Sequence, residues 1–582
     1  MIIEALNSYY ERLAADPKSD VAAAGFSRQR VTFCVVLEND GQLASVEPLT
    51  IYEGKRAIAR LIVVPGDGAR SGSKPKPFTL WDNPLYIFGV PPQGKDQAWA
   101  TTRFKAFREL HIAHEKSVNS PGFSAVCRFL ENHKPGNLEI DAAVLGGNYG
   151  VFRLRGAKQY VHEEPKFVSW WAKQLEVTDK ESQSYEAQCI VTGDVEPIAR
   201  MHTPKIKGLA DKPGAPSEKY LVAVDKSFTA AQSYGKEQNA NSPIGQAAAF
   251  RYCTALNRLL APDSLQKFQI GDASTVFWTE APSEAEGLLS FVFEPTRAAE
   301  DDNLKLSVEK ILAQISRGSY PQELGPKETP FYILGLSPNA ARISVRFWLR
   351  SSLGELVNRL RQHFADLALV HGPHEPDHPA MWQLLRETVR DSKDLPPLLA
   401  GSTMRSILTG TPYPAMLISA TLRRIQADRE VRYLRAAMLK ACLNRNSRAG
   451  IQPLAQEIEM ALNPDRPETA YQLGRFFAEL EKSQEDALPG INATIKDRFF
   501  GAASATPGSV FPRLIRLNQH HLGKLDKGNR KYRERQIRDI AARIEQFSPH
   551  LNLRDQGLFA IGYYHQRQDI FTKKADIANE QE

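Results

Sequence analysis

Residues 331–350 read FYILGLSPNAARISVRFWLR, and the two halves carry different signals. FYIL is a continuous apolar run that meets Gly, Ser, Pro and Asn, the residues of a turn. On the return, Ile343, Val345, Phe347 and Leu349 alternate strictly with Arg342, Ser344, Arg346, Trp348 and Arg350, which is the period of a strand with two unlike faces. One face suits a core, and the other sets arginines beside an indole. Guanidinium groups bind phosphate well and tryptophan stacks on bases, so the second face reads as a nucleic-acid surface. Strand arginines neutralised by acidic neighbours are the alternative.

This hairpin is the last strand signal in the chain. Downstream, apolar residues recur at three and four: SLGELVNRLRQHFADLAL, MWQLLRETVRD, AMLISATLRRIQADREVRYLRAAMLKACLNR, LAQEIEMALN, TAYQLGRFFAELEKSQEDAL and RKYRERQIRDIAARIEQF each read as one amphipathic helix. Upstream, VTFCVVL (31–37) and QLASVEPL form a predicted hairpin around END-G, with further strands at ARLIVV (59–64), YLVAVD (220–225) and TVFWTE (275–280). The expected fold class is α+β. Residues 1–350 make a mixed αβ domain with antiparallel strands, 351–400 a helical or linker region, and 401–582 an all-α helical bundle.

At 582 residues the chain exceeds one core and is long enough for roughly three to five domain-sized pieces. The composition, 42% apolar and 24% charged without an apolar run of membrane-spanning length, is that of a globular protein with no membrane partner. MIIEALNSYYERLA sets Ile2, Ile3, Leu6, Tyr9, Tyr10 and Leu13 on one helical face, with acidic Glu4 early, unlike a secretory signal. Cys34, Cys127, Cys189, Cys253 and Cys442 are too scattered for a structural zinc or redox pair, so buried thiols in a reducing cytoplasm are expected.

The net charge of +7 is modest, and its placement says more than its size. Residues 511–543 hold Arg513, Arg516, Lys524, Lys527, Arg530, Lys531, Arg533, Arg535, Arg538 and Arg543 against Asp526, Glu534 and Asp539, an excess as large as that of the whole chain. A basic stripe on helices is the footprint of phosphate contacts; a solvated helix face is the plain alternative.

Three loops carry further candidates. SYGKEQNANSP (233–243) brings together Gly235, Lys236, Gln238, Asn239 and Asn241, groups able to read base edges, and leads into IGQAAAFRYCTALNRLL. Ser242 is the expected helix cap and Pro243 the expected first helical residue. An ordinary polar turn would also use these residues. PGDGARSGSKPKPFTLWDNP (65–84) presents Arg70, Lys74, Lys76 and Asn83, and TPKIKGLADKPGAPSEK (203–219) presents Lys205 and Lys207.

Catalytic constellations are poorly supported. HIAHEK places His111, His114 and Glu115 in the wrong order for a metalloprotease helix. HGPHEPDHPAMW offers His371, His374, Glu375, Asp377 and His378, but its prolines mark a linker. GDAS (271–274) and VTGDVE (191–196) each give one aspartate without a partner. Walker, G-x-S-x-G and dinucleotide motifs are absent from the sequence, and no metal or cofactor is implied.

Several segments resemble, in order, the Csd family, the large subunit of the subtype I-C CRISPR Cascade complex: SYGKEQNANSPIGQAAAFRYCTALNRLL, GDASTVFW, FYILGLSPNAARISVRFW, GRFFAELEKSQ, NATIKDRFFGAASATPGSVFPRLIRLNQHHLGKL and GLFAIGYYHQRQ. The resemblance runs from MIIEALNSYYERL to the last helix. It implies a non-catalytic subunit of an antiviral ribonucleoprotein that recognises the protospacer-adjacent motif (PAM) of double-stranded DNA and helps open the duplex for guide RNA pairing in an R-loop. Implied partners are the guide RNA (crRNA), target DNA, the Cascade backbone and RNA-processing subunits, a helical small subunit made from the same gene, and a recruited helicase-nuclease. It makes Lys236, Gln238, Asn239 and Asn241 with Gly235 the first candidates for PAM contact and strand separation. Arg70, Lys74, Lys76 and Asn83 come next, as PAM or guide-end contacts. Backbone contacts fall to Lys205, Lys207, Arg342, Arg346, Arg350, Arg513, Arg516, Lys524, Lys527, Arg530, Lys531 and Arg535. The small subunit would begin at Met460, inside the helix expected there, or at Met438. A metal-dependent nuclease or RNA-processing subunit of the same defence system is the alternative function.

Overall fold

The computed structural model describes residues 1–579 apart from 17–18, 20, 54–55, 67–73, 93, 136–148, 182–184, 210–217, 225–234, 237, 271–272 and 294–301. The chain divides into two compact units, Met1–Ser264 with Pro338–Ser344, and Leu265–Ser337 with Val345–Glu582.

The first unit is built on a sheet in the order β2-β1-β7-β6, with β5 also paired to β1: β1 Phe26–Leu37, β2 Leu43–Pro48, β5 Arg60–Pro65, β6 Trp81–Asp82 and β7 Tyr149–Leu154. Two small hairpins, β3 Ile51–Glu53 with β4 Arg56–Ile58 and β8 Glu186–Gln188 with β9 Val195–Pro197, stand apart from it. β1 runs antiparallel to β2 and β5 and parallel to β7, from Val31↔Tyr149 to Leu37↔Leu154. Its alternation sends Phe33, Val35 and Leu37 to one face and Cys34 and Val36 to the other. The Phe33 face is covered by Phe104 and Phe107 of α3 (Gln97–Val118) and by Phe123 and Phe129 of α4 (Pro121–Asn132). Also in this unit are α1 (Ile2–Ala15), α2 (Pro84–Ile87), α5 (Pro165–Glu181) and α6 (Gln246–Leu259). α1 buries Leu6, Tyr9 and Tyr10, as its spacing requires, and packs on α6.

The second unit opens with the antiparallel sheet β10 (Lys267–Ile270), β11 (Ala273–Thr279), β12 (Pro330–Asn339) and β13 (Arg342–Ser352), in that order. Phe277, Phe331 and Ile333 turn one sheet face into a core completed by helices. These are α7 (Ala285–Phe293), α8 (Asp302–Ser316), α9 (Leu353–Leu367), α10 (Met381–Arg386), α11 (Pro397–Thr409), α12 (Ala415–Asp428), α13 (Tyr433–Arg448), α14 (Thr469–Ala487), α15 (Ile495–Ala505), α16 (Pro507–Leu522), α17 (Lys527–Ala541) and α18 (Leu553–Asn579). The α+β class and the helical C-terminal region stand as expected.

α14 and α18 make the most extensive helix pair. They touch backbone to backbone: a Cβ on Gly474 would lie 2.0 Å from the Phe559 carbonyl oxygen, and one on Gly562 would lie 2.1 Å from that of Tyr471. Only glycine permits that approach. Around the crossing, Phe477 meets Phe500 edge-on at 5.6 Å and Phe476 stacks on Phe511 at 5.6 Å.

Some local expectations are overturned. The 331–350 turn falls at Ala340 and Ala341, not at Gly/Ser/Pro/Asn, because β12 continues to Asn339 and Ala340 takes φ +51°. AMLISATLRRIQADREVRYLRAAMLKACLNR is two helices, since Arg429 terminates α12 in the left-handed region at φ +58°. LAQEIEMALN is irregular: Asn444 holds it from α13, donating to the Ile458 carbonyl at 3.0 Å and accepting from the Ile458 N–H at 2.8 Å. YLVAVD is no strand over its described residues; Tyr220 makes one isolated bridge to Arg342.

Ser242 and Pro243 do not start α6. Gly245 is the N-cap and Gln246 the first helical residue. Residues 243–245 pair instead with the chain at 189–199: the Pro243 carbonyl accepts from Ile190 N–H, the Ile244 carbonyl from Ala199 N–H, and the Cys189 sulfur from Gly245 N–H. Extended pairing over three residues outweighs one local cap.

Candidate nucleic-acid interface

A cationic surface of the second unit lies on α16 and α17. Along α16, Val510, Phe511, Leu514, Asn518 and Leu522 are buried, which leaves Arg513, Arg516 and His520 outward. Asp526 caps α17, accepting from the N–H groups of Gly528 and Asn529 at 2.9 and 3.0 Å, and these hydrogen bonds hold its carboxyl below the usual range. From that cap, Lys527, Lys531 and Arg535 follow at intervals of four on one exposed face. Lys524 is exposed in the connecting turn.

The stripe divides by partner. Arg530 pairs with Glu534 at 2.8 Å, Arg538 with Asp539 at 3.8 Å, and Arg543 with Asp465 at 2.6 Å. Arg533 turns inward, buried between Glu479 and Asp486, each at 2.9 Å. Among the described residues, Arg513, Arg516, Lys524, Lys527, Lys531 and Arg535 make no ion pair with a carboxylate; Arg513 lies over the Phe499 ring at 5.2 Å. Burial, with Lys524 and His520 adding repulsion, lowers the pKa of His521. These features make an exposed positive surface, whose attraction for any anion depends on charge and therefore on salt.

On β13, Arg342, Arg346 and Arg350 are exposed as the alternation requires, and the Arg346 guanidinium donates to the Ser337 hydroxyl at 3.1 Å. Arg342 counts with the first unit, the other two with the second. Trp348 is less available for a base than its spacing implies. It is half-buried and stacks on Tyr332 at 5.5 Å with 10° between planes, and Trp278 leans on it at 5.7 Å.

In the first unit, Gly235 takes φ +67°, a Cβ there would meet nothing within 4 Å among the described residues, and Lys236 is exposed beside it. Gln238–Asn241 form a single 3-10 turn in which Asn241 is half-buried. The side chains of Gln238 and Asn239 lie outside the described residues, as do Ser233, Tyr234 and Arg70. Lys74 and Lys76 are exposed. Asn83 caps α2, accepting from Tyr86 N–H at 3.3 Å, a structural task that the sequence did not signal. Lys205 and Lys207 both face Glu218, at 3.7 and 3.3 Å. Arg28 and Arg258, which converge on Asp263 at 3.8 and 3.5 Å, were missed, because residues so distant in sequence meet only in the fold.

The histidines do not converge. His111 is buried, its Nε2 accepting from Leu80 N–H at 2.9 Å and its Nδ1 donating to the Phe107 carbonyl at 2.7 Å. Burial lowers its pKa to about 4. His114 packs on Trp170, His371 on Tyr433, and His378 meets Ser316. Among the described residues no three His, Cys, Asp or Glu side chains are grouped to hold a metal ion. All five cysteines are buried and free.

No curated protein matches the chain. The family model for CRISPR-associated protein (Cas_Csd1) matches residues 6–571. With that match running through both units, the chain belongs to the Cas_Csd1 family of CRISPR-associated proteins, the type I-C large-subunit family associated with Cascade.

Proposed function

We propose that this protein is a non-catalytic DNA-recognition subunit of a type I-C Cascade effector. In this reading it binds the PAM of invading duplex DNA, helps open the duplex so that guide RNA pairs with the target strand, and recruits a separate helicase-nuclease. The observation that carries the reading is the set of exposed cations on α16 and α17 that have no carboxylate partner among the described residues, in a chain of a CRISPR-associated family. Cations spaced four apart on a helix follow a phosphate backbone without regard to sequence, as holding an opened strand requires. Sequence reading then falls to the polar loop of the first unit, where Lys236 suits guanine and the Gln238, Asn239 and Asn241 amides suit adenine.

Target binding by the assembled guide complex across a randomised PAM library tests this directly. Lys236→Ala and Asn239→Ala should each weaken binding and relax preference at one position, by ~1–3 kcal/mol per lost base contact. Unchanged preference and affinity in both variants would remove the loop from the reading role. Purified complex without the helicase-nuclease should leave DNA and RNA uncut in divalent metal; cleavage there would overturn the non-catalytic assignment.

A further inference from the structure

The first unit holds a half-open cavity of about 430 Å3, within the usual size of small-molecule sites. Phe26–Arg30 of β1 form one wall and the last turns of α6 another, with Tyr149 of β7 beside them. Gly208 shapes the third wall. Its φ is +81°, and a Cβ there would lie 2.6 Å from the Leu260 carbonyl oxygen, so the chain near Lys207 runs directly over the end of α6.

Among the described residues the lining is chiefly apolar but carries Arg28, Arg30, Lys207 and Arg258 against a single carboxylate, Glu218. Glu218 is shared between Lys205 and Lys207, and Asp263, just outside, is shared between Arg28 and Arg258. Among the described residues cations therefore exceed carboxylates around the opening, and an anion arriving there meets a positive field from them. Thr254 also lines the cavity; it is more than nine-tenths buried, and its hydroxyl has no hydrogen-bond partner among the described residues. A buried hydroxyl is costly to leave unmatched, and rotation about one bond turns it toward a ligand.

We propose that this cavity seats one unstacked nucleotide. The heterocycle enters against the apolar wall and Tyr149, Thr254 meets its polar edge, and the phosphate stays at the mouth with Arg28, Lys207 and Arg258. A planar base with an attached anion is the ligand class that joins an apolar slot to a cationic rim. That chemistry is common to a residue of a nucleic-acid strand and to a free mononucleotide. The proposal rests on the function above only for a strand as the source.

Two arms on the full-length chain separate the sources. Single-stranded oligonucleotides carrying one photoreactive thio-base are crosslinked and mapped, and AMP, CMP, GMP and UMP are titrated by equilibrium dialysis. The expected result is a crosslink within 149–154 or 246–262, with binding weakened about tenfold in Thr254→Leu and in Arg258→Gln at unchanged melting temperature. Mononucleotide binding with the same sensitivity, without a strand crosslink, makes a free nucleotide the occupant. Wild-type affinity for strands and mononucleotides in both variants overturns the proposal. Should Thr254→Leu fold poorly, the isosteric Thr254→Val with Arg258→Gln decides on the same criterion. PAM selection measured on these variants keeps the two ideas apart: preference survives their loss if only the cavity is affected.

Discussion

Arg533 and Arg535 stand two residues apart on α17 and do opposite work. Arg533 is buried against Glu479 and Asp486, while Arg535 is exposed with no carboxylate partner among the described residues. Glu479 is buried on α14, and desolvation pushes its carboxyl pKa up even with Arg533 beside it. Removing the guanidinium leaves that carboxylate uncompensated in the interior, so Arg533→Ala should lose ~3–5 kcal/mol of stability by denaturant titration. Arg535→Ala should stay within about 0.5 kcal/mol of wild type and weaken binding of nucleic acid instead. If both variants lose stability alike, the division of the stripe is wrong. The buried histidines give a second residue-scale expectation. Burial lowers the pKa of His111 to about 4 and those of His363 and His565 to about 3, against ~6.5 in the unfolded chain. The unfolded state therefore binds more protons between those values, so the stability these groups allow is complete above ~6.5 and drains away as pH falls toward 4. His111→Leu strands the Leu80 N–H and should cost ~1–3 kcal/mol at pH 7.5 by melting. That gap should narrow toward pH 4.5, since the variant no longer has this group to protonate; a constant gap would refute the assignment.

At the scale of elements, the exposed face of α17 and its preceding turn can be titrated with salt. Each phosphate neutralised on a single strand contributes roughly 0.7 to the slope of log affinity against log salt. Changing Lys524, Lys527, Lys531 and Arg535 together to Gln should flatten the slope for single-stranded DNA by about 3 without moving the melting temperature. An unchanged slope would leave α17 as a merely solvated face. The sequence made this stripe legible because charge density and the period of four are local properties. It also made legible which face of β13 bears arginine, since strand alternation is local as well. It could not show that Arg533 turns inward, because Glu479 and Asp486 lie on another helix. The start of α6 was misread for a related reason: Ser242-Pro243 is a sound cap signal, but 243–245 are claimed by hydrogen bonds to 189–199. Trp348 likewise looked free for a base until Tyr332, from the neighbouring strand, took one of its faces. The α14–α18 contact was invisible in sequence, since Gly474 and Gly562 lie far apart. Gly562→Val should drive a side chain into the Tyr471 carbonyl and cost at least ~1–3 kcal/mol, whereas Gly523→Ala, exposed beyond α16, should cost little.

For the whole molecule, the arrangement of the C-terminal helices bears on whether the gene yields a second product. We propose translation from an internal methionine, and Met460 and Met438 make different cuts. Met438 is buried in the middle of α13, so a start there splits a helix and bares its core face. Met460 is 55% exposed in the irregular segment before α14, and a start there retains α14 to α18 entire, including the backbone-close pair and the stripe on α16 and α17. The cut has a cost: Arg466 loses its bonds to the Gln456 and Glu457 carbonyls and to Glu459, and keeps Glu468 at 3.0 Å. α18 loses the cover that α12 and α13 give it, leaving an apolar face that needs a partner. Where the other subunits are present, the shorter product is therefore expected to copurify with the assembled complex. Expression of this gene by itself should give full-length protein and a second chain whose N-terminal peptide begins at Met460 by mass spectrometry. Met460→Leu should abolish the second chain and leave the first at wild-type abundance, because the side chain is exposed. A single full-length product from the unaltered gene would show that these helices act only as part of the large chain.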